Sequence, residues 1–144
     1  MKKLLVLVLV LSVSLPKVMS QIEMCRPEER HATICPPTFK PRCGCVDMGL
    51  VDNRYTCKSC PNRCLACATP EIEFTFQGNC PREGMVIKIC ERIDPTTVCP
   101  NTFRPVCGYS YNPPVFTPEQ YSNPCFACKQ MKTVYYVFGK CQIN

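Results

Sequence analysis

Fifteen cysteines in 144 residues constrain this chain more than any other feature. In a short chain, a density above one residue in ten argues for a disulfide scaffold. The spacing is ordered. Cys25, Cys35, Cys43, Cys64, Cys67 and Cys80 form one set, and Cys90, Cys99, Cys107, Cys125, Cys128 and Cys141 form a second. In each set seven residues separate the second and third cysteines, two the fourth and fifth, and twelve the fifth and sixth. The intervening residues agree as well. "CPPTFKPRCG" from Cys35 matches "CPNTFRPVCG" from Cys99, and "PNRCLAC" matches "SNPCFAC". Two six-cysteine modules are therefore expected, at 21–80 and 90–144, joined by a linker at 81–89, "PREGMVIKI".

The first twenty residues are expected to be a secretory signal peptide. "MKK" is basic, "LLVLVLVLSVSL" is a short apolar run, and Val18 and Ser20 stand at cleavage-site spacing. The run is too short to read as a membrane span, and no other segment comes close, so no span is expected in the mature chain. The mature chain is expected to begin near Gln21, in a compartment that permits disulfides. Loss of Lys2, Lys3 and Lys17 leaves 14 basic against 11 acidic residues, so the formal charge falls from +6 to +3. No Lys/Arg cluster remains, and no nucleic-acid partner is expected.

Local signals are coarse but consistent. Ser122 and Asn123 can cap a helix whose first turn takes Pro124. "TVYYVF" (133–138) is β-branched and aromatic and reads as a strand. "EIEFTF" (71–76) alternates, which predicts Ile72, Phe74 and Phe76 on one face. Each module thus reads as a small disulfide-rich α+β unit, one short helix packed on a small antiparallel sheet.

These residues resemble the Kazal family of serine-protease inhibitors. The second module carries the match in Cys99-x7-Cys107-Gly108, Tyr121-x3-Cys125-x2-Cys128, the final Cys141, and Asn123 two residues before Cys125. Departures exist: 108–120 is longer than the family's segment, and Cys60 stands where the family has its tyrosine. Six cysteines permit fifteen pairings. The family pattern implies Cys25–Cys67, Cys35–Cys64, Cys43–Cys80, Cys90–Cys128, Cys99–Cys125 and Cys107–Cys141. It also implies that Asn62 and Asn123 brace a loop through hydrogen bonds to its backbone. The residue entering a protease's primary specificity pocket would be Pro37 in the first module and Asn101 in the second, each followed by a threonine, Thr38 or Thr102.

Three cysteines fall outside the pattern, and an odd total leaves at least one thiol or a link to another chain. Gly49 and Asp52–Asn53 can turn a hairpin that opposes Cys45 and Cys57. That predicts Cys45–Cys57 with Cys60 unpaired; Cys45–Cys60 differs only by a short register shift. The oligomeric state stays open, because the odd cysteine could join two chains.

The functional expectation is a secreted inhibitor that offers a disulfide-braced loop to a serine-type endopeptidase. The alternative is a non-inhibitory extracellular structural or binding protein on the same scaffold. Pro37 removes an N–H that a protease would use, so the second loop is the stronger candidate. An enzyme is not expected: nucleophilic arrangements need a histidine base, and His31, the one histidine, sits in a charged stretch. Cys57, Cys60, Cys64 and Cys67 have ligand-like spacing, but only Cys64 and Cys67 have counterparts in the second module. No metal and no cofactor are expected.

Overall fold

A computed structural model describes residues 22–49, 52–112 and 115–142. The expected signal peptide, residues 1–20, lies outside them. Among the described residues, no helix is long and apolar enough to cross a membrane.

Eight strands carry the fold. They are β1 (Glu23–Met24), β2 (Arg42–Asp47), β3 (Arg54–Cys60), β4 (Ile72–Gln77), β5 (Met85–Ile89), β6 (Val106–Asn112), β7 (Val115–Tyr121) and β8 (Thr133–Phe138). Two short helices, α1 (Arg63–Cys67) and α2 (Pro124–Lys129), follow the β2–β3 and β6–β7 pairs. All strand pairs are antiparallel, and they form one sheet in the order β1-β4-β2-β3-β5-β8-β6-β7.

This overturns the expectation of two helix-on-sheet modules. The protein is mostly sheet, and the strands of both halves are continuous. The physical reason lies in 81–89, read from the sequence as a linker. Met85 and Ile87 are buried, and the alternation carries on to half-buried Ile89. This segment is β5, which pairs with β3 on one edge and β8 on the other. An alternating apolar segment between two strand edges satisfies both its backbone groups and its side chains by joining them.

The two faces of the sheet are filled differently. One holds the main core, where Cys43, Cys45, Cys57, Phe74, Phe76, Met85, Ile87 and Tyr135 are buried together. Here the halves interlock through rings: Phe76 lies 5.1 Å from Tyr135 and 5.4 Å from Phe116, and Tyr109 stacks on Tyr135 at 4.9 Å. Polar contacts add to the junction. Tyr111 Oη donates to Gln77 Oε1 at 2.8 Å, and Arg82 Nη1 donates to Gln142 Oε1 at 2.9 Å. The other face receives the helices, with Ala66 over Ile72 and Cys60, and Ala127 over Val106 and Tyr136.

Ile72 departs from its expected place beside Phe74 and Phe76. Cys45 opposes Phe74, but Val46 opposes Ile72, so Glu73 bulges out of the ladder. A bulge shifts the alternation by one residue. It therefore turns Ile72 to the helix face, under α1. Ile72 in turn explains the glycine after Cys43: a Cβ on Gly44 would lie 2.7 Å from Ile72 Cδ1. Gly108 meets Tyr121 in the same way, at 2.8 Å.

An ion-pair network ties the N-terminal segment to α1. Arg63 reaches Glu23 Oε2 at 2.6 Å and Glu29 Oε1 at 2.8 Å, and Arg42 reaches Glu23 Oε1 at 2.7 Å. The hydrogen bond from Arg63 holds the Glu29 carboxyl below its ordinary value of 4.5. A carboxyl depressed on folding stabilises the fold above its unfolded pKa, and that stability is lost as pH falls through the folded value. Thermal stability should therefore drop as pH is taken from 5 down to about 3, and Arg63→Gln should flatten that part of the profile. An unchanged slope in the variant would rule out the network as its source.

The shared ring cluster leads to a second expectation. Thermal unfolding of the oxidised protein, followed by NMR signals from both halves, should show one common midpoint. Phe76→Ala should cost about 3–5 kcal/mol and lower that midpoint for both halves together. Separate midpoints would mean that the halves unfold independently.

Candidate functional site

Seven disulfides pair Cys25–Cys67, Cys35–Cys64, Cys43–Cys80, Cys45–Cys57, Cys90–Cys128, Cys99–Cys125 and Cys107–Cys141. These are the six pairs that the resemblance implies, together with the hairpin pair. Such a set suits an oxidising, extracellular environment. Cys60 remains a buried thiol whose pKa burial pushes up. It occupies the place that Tyr121 has in the second half, opposite the first residue of the preceding strand. Of the four ligand-like cysteines, Cys57, Cys64 and Cys67 are bonded in disulfides. Cys43, Cys45 and Cys57 bring their sulfurs within 4.8 Å of one another, but all three are disulfide-bonded and offer no thiolate.

The two matching loops are built in the same way. Cys35 and Cys99 are each tied to a helix, with Cα atoms 5.6 Å from their partners Cys64 and Cys125. Asn62 and Asn123 cap those helices: each Oδ1 accepts a backbone N–H, from Leu65 at 2.9 Å or from Phe126 at 3.2 Å. The amide of the same side chain points the other way. Asn62 Nδ2 donates to Pro36 O at 3.2 Å and Thr38 O at 2.9 Å. Asn123 Nδ2 donates to Pro100 O at 3.0 Å and Thr102 O at 2.9 Å. Both asparagines are buried, 4% and 2% exposed, so water competes little for these bonds.

Backbone bonds complete each brace. Lys40 N donates to Pro61 O, and Arg104 N to Ser122 O, both at 2.9 Å. Gly78 N and Gly139 N donate to Pro41 O and Pro105 O, also at 2.9 Å. Pro37 and Asn101 therefore sit between two carbonyls held by one asparagine, with Thr38 and Thr102 next to them. All four residues are exposed.

Sequence reasoning left four neighbouring side chains without a role. Ile34, Phe39, Val98 and Phe103 are 88%, 77%, 90% and 80% exposed. These large apolar side chains stand exposed in matching positions of the two braced loops. The signal was present in the sequence, as an apolar residue before Cys35 and before Cys99 and a phenylalanine after each threonine. Besides Pro37 against Asn101, the loops differ in a neighbour: Arg104 lies over the Phe138 ring at 4.6 Å, whereas the first half has Gln77 at the corresponding position.

Strand directions set where the loops stand. From β2 to β6 there are four antiparallel steps, so both strands run the same way and both loops open at the same end of the sheet. Four strand spacings put them about 19 Å apart along the curved sheet. His31 is exposed in a short 3-10 turn, 29–31, on the N-terminal side of the first loop.

No family model matches the chain, and neither the curated proteins nor the solved structures contain a significant match. A functional reading therefore rests on the residues and contacts above.

Asn123→Asp separates the two tasks of that residue. Aspartate caps a helix as well as asparagine does but has no amide to donate. The variant should keep α2, expose the backbone around residues 100–104 to faster hydrogen exchange, and be cut there more readily in limited proteolysis. Unaltered exchange would show that the disulfide alone holds the loop.

Proposed function

We propose that this protein is a secreted, Kazal-like inhibitor that lays the loop around Asn101 across the active site of a serine-type endopeptidase. The observation that carries the reading is the pair of hydrogen bonds that Asn123 Nδ2 donates to Pro100 O and Thr102 O. It bridges the exposed Asn101 and leaves the side chains of Asn101, Thr102 and Phe103 free. A serine protease takes substrate as an extended peptide whose carbonyl enters the oxyanion hole. A flexible peptide loses much entropy on binding in that form, and a pre-formed loop loses far less. After cleavage, Cys99–Cys125, Cys107–Cys141 and the asparagine would hold both ends in place, so that resealing competes with release.

Asn101 is small and uncharged, which suits neither a trypsin-like nor a chymotrypsin-like pocket. Its identity would set the target. The loop at Pro37 is braced equally well but lacks the N–H at the central position. That observation favours a binding or spacing role for the first loop, through Ile34 and Phe39, without inhibition.

The test is a panel of subtilisin-like, elastase-like, trypsin-like and chymotrypsin-like enzymes titrated with the oxidised protein. Asn101→Lys should gain inhibition of the trypsin-like enzyme and Asn101→Leu of the chymotrypsin-like one, each by at least about tenfold. Pro37→Lys should gain much less. If neither Asn101 variant inhibits any of the four, the loop is not an inhibitor.

A further inference from the structure

A hollow beside β1 and β5 lies outside both loops, although its lining includes Pro124, Cys125 and Cys128 of α2, the helix tied to the second loop through Cys99–Cys125. β1 stands at one end of the strand order, and Ile22 and Met24 at that end line the same space as Ile89 and Ile93, at and beyond the end of β5. The hollow measures about 580 Å³. Tyr55, Phe74 and Tyr136 add aromatic surface to its lining. No residue of 35–41 or 99–105 takes part. Sites for small molecules have this character: a few hundred Å³, mostly apolar, with a small number of polar groups.

The polar groups carry a sign. Glu73 and Glu91 line the hollow, and neither belongs to any ion pair among the described residues. Glu73 is the residue bulged out of the β2–β4 ladder. Lys88 also lines the space, but its ammonium lies 3.9 Å from the Asp52 carboxylate. Two carboxylates share the lining with aromatic rings, and Lys88, the one cation of that lining, is within ion-pair reach of Asp52; such a site attracts a positive charge and repels a negative one. Ring faces add to this, since they attract an ammonium within about 6 Å of the centroid. A second hollow of about 480 Å³ adjoins the first and shares Ile22, Met24, Ile89, Glu91, Ile93 and Cys128. It offers room for the apolar part of a ligand. Arg92 lines only this second space, beside the shared Glu91, whereas Glu73 lines only the first, which makes the Glu73 side of the first hollow the place for a cation.

The geometry points to this hollow as a binding site for a small molecule with a flat apolar body and a protonated amine. The ring would lie among Ile22, Ile89, Ile93 and the aromatic side chains. The ammonium would face Glu73 and Glu91. The site does not depend on the loops binding a protease, and an inhibitory and a non-inhibitory protein would both carry it.

Two probes with the same body and opposite charge test it: tryptamine and indole-3-propionate. The chain has no tryptophan, so indole emission excited at its red edge reports on the probe alone. Tryptamine should bind the oxidised protein saturably with a blue shift, about tenfold more tightly than indole-3-propionate. Glu73→Gln and Glu91→Gln should each weaken tryptamine by about threefold or more and leave indole-3-propionate unchanged or improved. Neither glutamate is buried, and an unaltered disulfide map and circular dichroism spectrum would show that the variants fold. The proposal is overturned if tryptamine does not saturate. It is likewise overturned if the two probes differ by less than about threefold, or if both Glu→Gln variants bind tryptamine as the parent does.

Discussion

Strand β5 is paired along both edges, and the rest of the fold depends on it. Without it the chain would hold a four-stranded piece, β1-β4-β2-β3, and a three-stranded one, β8-β6-β7, each with an open edge and a helix on one side. With it, β3 and β8 join one ladder, and the rings of Phe76, Phe116 and Tyr135 meet across the junction. Small domains bury too little apolar surface to be stable on packing alone. Here disulfides constrain each half, and the shared ring cluster supplies a core that neither half could fill alone. The relative position of the two loops follows from the same strand, because a continuous sheet leaves no hinge between them.

Within each half, one buried asparagine links local structure to function. Its oxygen starts the helix, and its amide holds two loop carbonyls. The helix is tied to the loop by a disulfide two residues after that cap. A buried side chain must satisfy its polar atoms; Asn62 and Asn123 do so by joining loop to helix. The loop can therefore expose phenylalanine and β-branched side chains without collapsing onto the protein.

The halves differ where charge is concerned. Arg63 binds Glu23 and Glu29, whereas its counterpart in the second helix is Pro124. The first half thus has a salt-linked N-terminal segment that the second lacks. The Glu73 bulge belongs to the same region: it turns Ile72 under α1 and places a free carboxylate beside the hollow at β1. The corresponding bulge in the second half falls between Tyr109 and Ser110, and it places Thr133 opposite Ser110.

Much of this was legible in the chain. The Asn–Pro–Cys helix start and the β-branched run of β8 specify structure within a few residues. Local chemistry acts over that range. The hairpin pairing of Cys45 with Cys57 was also open to reading, because a turn sets register between adjacent strands. The role of "MVIKI" was not. Its alternation marks a strand, but whether a strand pairs once, twice or not at all depends on edges that other parts of the chain provide. The bulge at Glu73 was hidden for the same reason, since a ladder's register is a property of two strands. The sequence by itself determined the two matching cysteine sets, the helix start at Asn123 and the Cys45–Cys57 hairpin, each governed by residues close together, whereas the other six pairings and the loop bracing were implied only by the resemblance. Only the tertiary structure decided that both halves share one sheet and one core. That outcome rests on backbone edges and ring contacts between residues far apart in the chain.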